Sequence, residues 1–148
     1  MKHIKNIYPK RPSPCNCLNL RRASRAVSQF YDKVLEPCGI SIAQLALLRH
    51  VELAEKTTIS KLAKLMRIDR TTLNRNMKPL VETGLISICA GKDSRTKQIN
   101  LTPAGRKTIA QGWELWGEAQ TAISGYLGDD ELTQLTQLLA KLEALAPD

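Results

Sequence analysis

The chain is poor in the residues that most enzyme chemistry needs. Its 148 residues include only two His, one Phe, three Tyr and two Trp, and no His, Asp and Glu fall together at metal-ligand spacing. It lacks a glycine-rich phosphate loop and any nucleophile with a base near it in sequence, so no enzyme class is signalled and no cofactor is expected. Apolar runs long enough for a membrane span are missing. Met1 to Pro14 is basic without the apolar stretch of a secretion signal, which makes the cytoplasm the expected compartment. No helix pairs a basic face with a broad aromatic one, so a membrane partner is not expected. The four cysteines do not make a closed zinc site: Cys15 and Cys17 form C-x-C, Cys38 follows a proline, and Cys89 stands alone. Two readings stay open for Cys15 and Cys17. They are packing and surface thiols kept reduced in the cytosol, or a thiol sensor at a helix start beside Arg21 and Arg22.

Acids are also scarce, 14 against 22 Lys and Arg, for a net charge of +8 and a pI near 9.5. The imbalance is uneven along the chain. Residues 1–100 hold 19 Lys and Arg against 7 acids, a net of +12, whereas residues 101–148 hold 3 against 7, a net of −4. Concentrated positive charge of this kind points to a polyanion, double-stranded DNA.

The stretch from Ile59 to Leu101 organises the chain and reads as helix, tight turn, helix and hairpin. Ser60 to Met66 directs Leu62 and Leu65 inward and Lys61 and Lys64 outward, and Arg67, Ile68 and Asp69 supply a turn that ends in an N-cap acceptor. In the next helix Leu73, Met77, Leu80 and Val81 recur toward a core, leaving Arg70, Thr71, Asn74, Arg75 and Lys78 on the opposite side. Cations, amides and hydroxyls are the groups that bond phosphates and the acceptor-rich base edges of a major groove. Thr71, Thr72, Asn74 and Arg75 are the candidate base readers, and Arg70 and Lys78 the candidate phosphate contacts. Gly84 suits a left-handed C-cap, residues 85–89 alternate as a strand, Ala90 to Arg95 form a polar tip, and Thr96 to Leu101 return. The fold class is therefore mostly α with a small β-hairpin wing, a winged helix-turn-helix.

The flanks are helical. Residues 1–15, with Pro9, Pro12 and Pro14 among Lys2, Lys5, Lys10 and Arg11, read as an extended basic arm that touches DNA, crosses a partner subunit or stays loose. Residues 16–148 form a single domain. Asn16 is the expected cap of a helix from Cys17 to about Glu36, with Leu18, Ala26, Phe30 and Leu35 as its buried stripe. Ser41 caps a second helix to about Leu53, whose Ile42, Leu45, Leu48 and Val51 buttress the helix-turn-helix. His50, near its end, reads as an ordinary helix-terminal residue. Thr102 and Pro103 start a long helix toward Tyr126, which carries Trp113 and Trp116. After a break at Gly125 and Gly128, Leu132, Leu135, Leu138, Leu139 and Leu142 stripe a last helix. A stripe of this kind needs a partner, and a second copy of the chain is the expected one.

Asp93 and Arg95, followed by Leu101, Thr102, Pro103, Ala104 and Gly105, resemble the D-x-R…L-T-x-x-G pattern of MarR-type (multiple antibiotic resistance regulator) transcription factors. Asp69-Arg70-Thr71-Thr72-Leu73 and the Leu80…Gly84-Leu85-Ile86 run resemble the same family, and the likeness spans roughly residues 16–145. It implies a homodimer in which residues 16–36 and 103–148 are dimerisation helices and residues 41–101 form the DNA-binding winged helix. Arg95 would then enter the minor groove, with Asp93 bracing the wing. The family also implies a small phenolic or anionic effector, for which Arg21, Arg22, Trp113 and Trp116 are the candidate residues. The expected function is a dimeric repressor reading a palindromic operator, released by a small molecule or by thiol oxidation. A winged helix serving as a non-specific architectural or protein-interaction module is the alternative, and a C-x-C thiol oxidoreductase a remote one.

Overall fold

The computed structural model describes residues 3–91 and 95–147. The elements run α1 (Asn16–Val34), α2 (Ile42–Ala54), β1 (Thr57–Thr58), α3 (Ile59–Met66), α4 (Arg70–Glu82), β2 (Ile86–Ala90), β3 (Lys97–Leu101), α5 (Pro103–Leu127) and α6 (Asp129–Glu143). A 3-10 turn over Glu36–Cys38 joins α1 to α2. The architecture is mostly helical with a small antiparallel sheet, as the patterning requires.

The sheet has one more strand than the expected hairpin. Strand order is β1-β3-β2, with Thr57 opposite Ile99 and Ile86 opposite Leu101. Two residues of β1 are too few to show a period of two, so only pairing reveals the strand. Its position is set by a tight reversal at the end of α2. There Glu55 takes φ 58 and ψ −63, and the Lys56 amide donates to the Ala54 carbonyl at 2.6 Å.

The core is built on α2, whose Leu45, Leu47, Leu48 and Val51 are buried against Leu62, Leu73, Met77, Leu80, Ile86, Ile99 and Ile109. Its start is a complete capping box: Gln44 N–H donates to Ser41 Oγ, and Ser41 N–H donates to Gln44 Oε1. Three expectations for apolar faces need correction. On α3 the inward stripe is Ile59, Leu62, Ala63 and Met66, and Leu65, off that stripe, is 56% exposed. On α4 the stripe is Leu73, Met77 and Leu80, and Val81, about 100° round the helix from Leu80, lies at the surface. On α1 only the last turns pack, where Tyr31 and Val34 meet Ala119 of α5, so Leu18 and Ala26 are exposed.

The ends of α1 also differ from expectation. Asn16 lies inside the helix and Cys15 is the capping residue, without a side-chain cap bond. The helix stops at Val34 because the 3-10 turn with Pro37 begins at once.

The start of α5 is locked to the wing. Thr102 Oγ accepts from Gly105 N–H at 3.0 Å, and its one proton is shared between the Gly84 carbonyl at 2.6 Å and the Leu85 carbonyl at 3.0 Å. Gly105 makes this approach possible, since a Cβ there would lie 2.3 Å from the Leu85 carbonyl oxygen. Beyond that joint α5 runs unbroken for 25 residues, roughly 37 Å. Gly125 stays within it, and the break falls at Gly128, where φ is 83. None of α6 is buried, and its Leu135, Leu138, Leu139 and Leu142 face solvent in the single chain.

Candidate nucleic-acid interface

The helix α4 is positioned by its first turn. Asp69 accepts from the Thr72 backbone N–H at 2.7 Å and from the Thr72 hydroxyl at 2.9 Å. Those two bonds, backbone first, hold its carboxyl below the ordinary carboxylate range. One consequence falls on a candidate base reader: the Thr72 proton is used inside the protein, leaving only the oxygen's acceptor capacity outward. Arg70, Thr71, Asn74, Arg75 and Lys78 are all exposed on one face of α4, as the spacing predicts. Pro79 lies inside the helix and offers no N–H to the Arg75 carbonyl, and α4 nevertheless continues past it to Glu82.

Beside this face lies a cleft of about 570 Å³ lined by Thr58, Ser60, Lys61, Arg70, Arg95 and Lys97, among others. It brings the wing's Arg95 together with Arg70 of α4 and adds two cations, Lys61 and Lys97, that sequence reasoning did not single out. Lys61 sits in the first turn of α3, where its own N–H is capped by the Thr58 hydroxyl at 3.3 Å. That S/T-x-x pattern before α3 was the available signal. Four cations around one opening attract phosphate oxygens from the backbone that flanks a groove. Asp93 lies outside the described residues.

The remaining candidates are dispersed. Trp113 stacks on Trp116, with centroids 4.4 Å apart and planes 17° from parallel. The cation over Trp113 is Arg49 of α2, 4.9 Å from the ring centroid, which also pairs with Glu52. Trp116 packs on the Tyr31 and Val34 cluster. Arg21 and Arg22 stand at least nine residues earlier on α1, roughly 13 Å up the helix, so one chain does not bring them to the tryptophans. Cys15 and Cys17 are both exposed. The Cys38 thiol donates to the Leu35 carbonyl, and Cys89 Sγ accepts from Asn100 Nδ2. His50 Nδ1 bonds the Ala46 carbonyl of its own helix. Among the described residues no group of three or more His, Cys, Asp or Glu is placed to hold a metal, and no helix is long and apolar enough to cross a membrane.

No family model matches the chain. Solved structures do. The M. tuberculosis transcriptional regulator MosR in complex with DNA aligns with a TM-score of 0.77 at 33% identity, covering 90% of this chain and 99% of that one. A cysteine-to-serine mutant of MarR from E. coli, complexed with operator DNA, aligns with a TM-score of 0.71 at 27% identity, covering 85% of this chain and 94% of that one. The chain belongs to the MarR family of winged-helix transcriptional regulators. The organohalide-sensing regulator RdhR, bound to 2,4-dichlorophenol, shares the fold with a TM-score of 0.80 at 17% identity, over 86% of this chain and 77% of that one. The family's L-T-x-x-G signature has a physical basis here. Leu101 packs on the core, Thr102 ties the turn at Gly84 to the first turn of α5, and Gly105 admits the Leu85 carbonyl. This MarR-family chain is accordingly a DNA-binding regulator.

Proposed function

We propose that this MarR-family regulator is a homodimeric, cytoplasmic repressor that reads a palindromic operator through two copies of α4. The observation that carries the reading is the polar face of α4, Arg70 to Lys78, exposed beside the cationic cleft that contains Arg95. Thr71, Asn74 and Arg75 read base edges, Thr72 contributes an acceptor, Arg70 and Lys78 hold phosphates, and Arg95 enters the minor groove. A second copy covers the apolar residues that one chain leaves exposed, Leu18, Leu20 and Val27 on α1 and the leucines of α6. Two heads related by a two-fold axis meet major grooves roughly 34 Å apart, which is why the operator is palindromic.

Release follows when a signal favours a dimer whose heads are wrongly spaced. A small aromatic effector is one such signal, supported by the dichlorophenol-bound relative. Oxidation of Cys15 and Cys17 is the other, supported by their exposure. Fluorescence anisotropy on the chain's own upstream DNA and on a scrambled duplex, across a salt series and with or without reductant, tests the reading. The expected result is native DNA bound at least about a thousandfold tighter. Arg75→Ala should lose about 1–3 kcal/mol and relax one position, whereas Lys78→Ala should weaken all sequences alike and lower the salt slope by about 1. Equal binding to both duplexes, fading together with salt, means an architectural module instead.

A further inference from the structure

A hydroxyl carries one proton, and at Thr72 that proton is already committed. Asp69 uses one carboxylate oxygen, Oδ1, to accept from the Thr72 N–H at 2.7 Å, while its other oxygen, Oδ2, stands 2.9 Å from the Thr72 hydroxyl. An ionised carboxylate has no proton to give, so in the second bond the hydroxyl is the donor. The backbone bond first, and then the hydroxyl bond, hold the Asp69 carboxyl below the ordinary carboxylate range, which keeps it ionised at neutral pH. Hydrogen bonds to an ionised acceptor are roughly twice as strong as those between neutral groups. Because one carboxylate takes both the N–H and the hydroxyl of Thr72, the rotamer of this side chain is set together with the direction of its proton.

Thr72 lies in the first turn of α4, half-buried at the margin of the polar face and beside Arg75 on the helix surface. Its neighbours on that face have other capacities. Arg70, Arg75 and Lys78 can only donate, and the Asn74 amide both donates and accepts. Thr72 can only accept from anything outside the protein. In the major groove the base donors are the amino groups of adenine and cytosine, whereas guanine and thymine present keto oxygens. Every base pair contains one amino base, so an acceptor-only group does not sort A·T from G·C pairs. It sorts each pair by the strand on which the amino base stands.

We propose that Asp69 is a specificity-determining residue that acts through Thr72: by taking the hydroxyl proton, it makes Thr72 select adenine or cytosine over guanine or thymine on the strand it faces. This role rests on the base-reading function proposed above for α4 and specifies what one of its residues reads. The substitution Asp69→Asn exposes the logic. Its amide oxygen keeps the cap on the Thr72 N–H, and its amide nitrogen stands where Oδ2 stood and donates to Thr72 Oγ. The hydroxyl proton then turns outward, toward a keto oxygen.

The test selects duplexes from a randomised library with the full chain, at neutral pH and one salt concentration, and reads base preference position by position. Thr72→Val removes the hydroxyl but keeps the shape, so it marks the position that Thr72 reads. There the wild type should accept adenine and cytosine on one strand and disfavour guanine and thymine by about fivefold or more, and Thr72→Val should abolish that preference. Asp69→Asn should reverse it at the same position and leave the other positions as in the wild type. Loss of the carboxylate charge or a weaker cap changes affinity for all duplexes alike, so neither produces a reversal at one position. An Asp69→Asn profile that keeps adenine and cytosine there overturns the proposal. A Thr72→Val profile identical to the wild type, or a marked position that sorts A·T from G·C pairs, overturns it equally, and each of these results leaves the operator reading standing. A wild type that selects no motif sinks both together.

Discussion

Replacing Gly105 by alanine tests the joint between the wing and α5. The new Cβ would lie 2.3 Å from the Leu85 carbonyl oxygen and 2.6 Å from Leu101 Cδ1. Leu101 can turn its methyl away, but the Leu85 carbonyl is held by the Thr102 N–H and hydroxyl, and the Leu85 N–H by the Leu80 carbonyl. Relief requires α5 to lift off the wing by roughly 1 Å, an overpacking strain of about 3 kcal/mol. Alanine's better helix propensity returns about 1 kcal/mol, leaving a net loss of about 2 kcal/mol. In a chain of this size that lowers Tm by about 4–8 °C. Gly117 on the same helix supplies the control, since a Cβ there meets nothing within 4 Å. Gly117→Ala should gain about 0.5–1 kcal/mol from propensity alone. Gly112→Ala should fall between the two, because its nearest contact, 2.9 Å away, is a movable methyl of Leu45. Circular-dichroism melts at one fixed protein concentration order the three. If Gly105→Ala melts at or above wild type, α5 does not rest on the Leu85 carbonyl, and the physical account of the L-T-x-x-G signature is wrong.

Further outcomes follow from other particular contacts. Glu55 holds φ 58 in the reversal between α2 and β1, so Glu55→Gly should stabilise the chain by about 1 kcal/mol in urea unfolding; a loss of stability would mean that the reversal is not strained. Asp69 has a lowered folded pKa, so its contribution is present above its ordinary value of 3.8 and disappears as pH falls through the folded value. Asp69→Asn keeps the capping acceptor without the titration and should flatten this part of the acid unfolding curve below about pH 4, and an unchanged curve would refute the assignment. If a second copy covers α1 and α6, Tm should rise with protein concentration, and a concentration-independent Tm would count against the dimer.

Sequence and structure agree where a side chain has one dominant constraint. Thr102 and Asp69 cap helices where their hydroxyl and carboxylate stand one residue before the apolar period, and both make the cap bond. Leu73, Met77 and Leu80 are buried because a stripe with helical spacing has only one way to turn. Leu65 and Val81 misled because each adjoins a stripe without belonging to it, and apolarity alone does not fix an angle. The third strand and the anchored arm were illegible for a different reason. Thr57 and Thr58 become a strand only by meeting Gln98 and Ile99, and Ile4 is buried and Ser13 bonded to Asn19 only in the folded chain. Lys61 reads from sequence only as an outward lysine and Lys97 carries no signal of its own, and only the fold brings them to the opening where Arg70 and Arg95 stand.

The hydrogen bonds also locate where movement is possible. The Leu85 N–H is held by the Leu80 carbonyl at the end of α4, and the Leu85 carbonyl by Thr102 at the start of α5. A single residue therefore links α4, the strand β2 and the long helix α5, with Gly105 packed against it and no space between. The reading head and the base of α5 consequently move as one body, because packed elements with bonds at both ends shift together rather than bend. Compliance lies elsewhere. At Gly128, between α5 and α6, an added Cβ would meet nothing within 4 Å, and the buried contact of α1 with α5 is made by Tyr31 and Val34 of its last turns against Ala119. One exposed ion pair, Arg67 with Glu143 at 2.8 Å, ties the end of α6 back to the turn before α4, and Glu143 raises the Arg67 pKa first through that hydrogen bond and then through its charge. In the proposed dimer, a signal that separates the two heads would act by tilting rigid heads about the contacts of α1 with α5 and α2, where the Ile42 N–H donates to Asp32 Oδ1 at 2.7 Å, or about the α5–α6 corner, and not by reshaping α4.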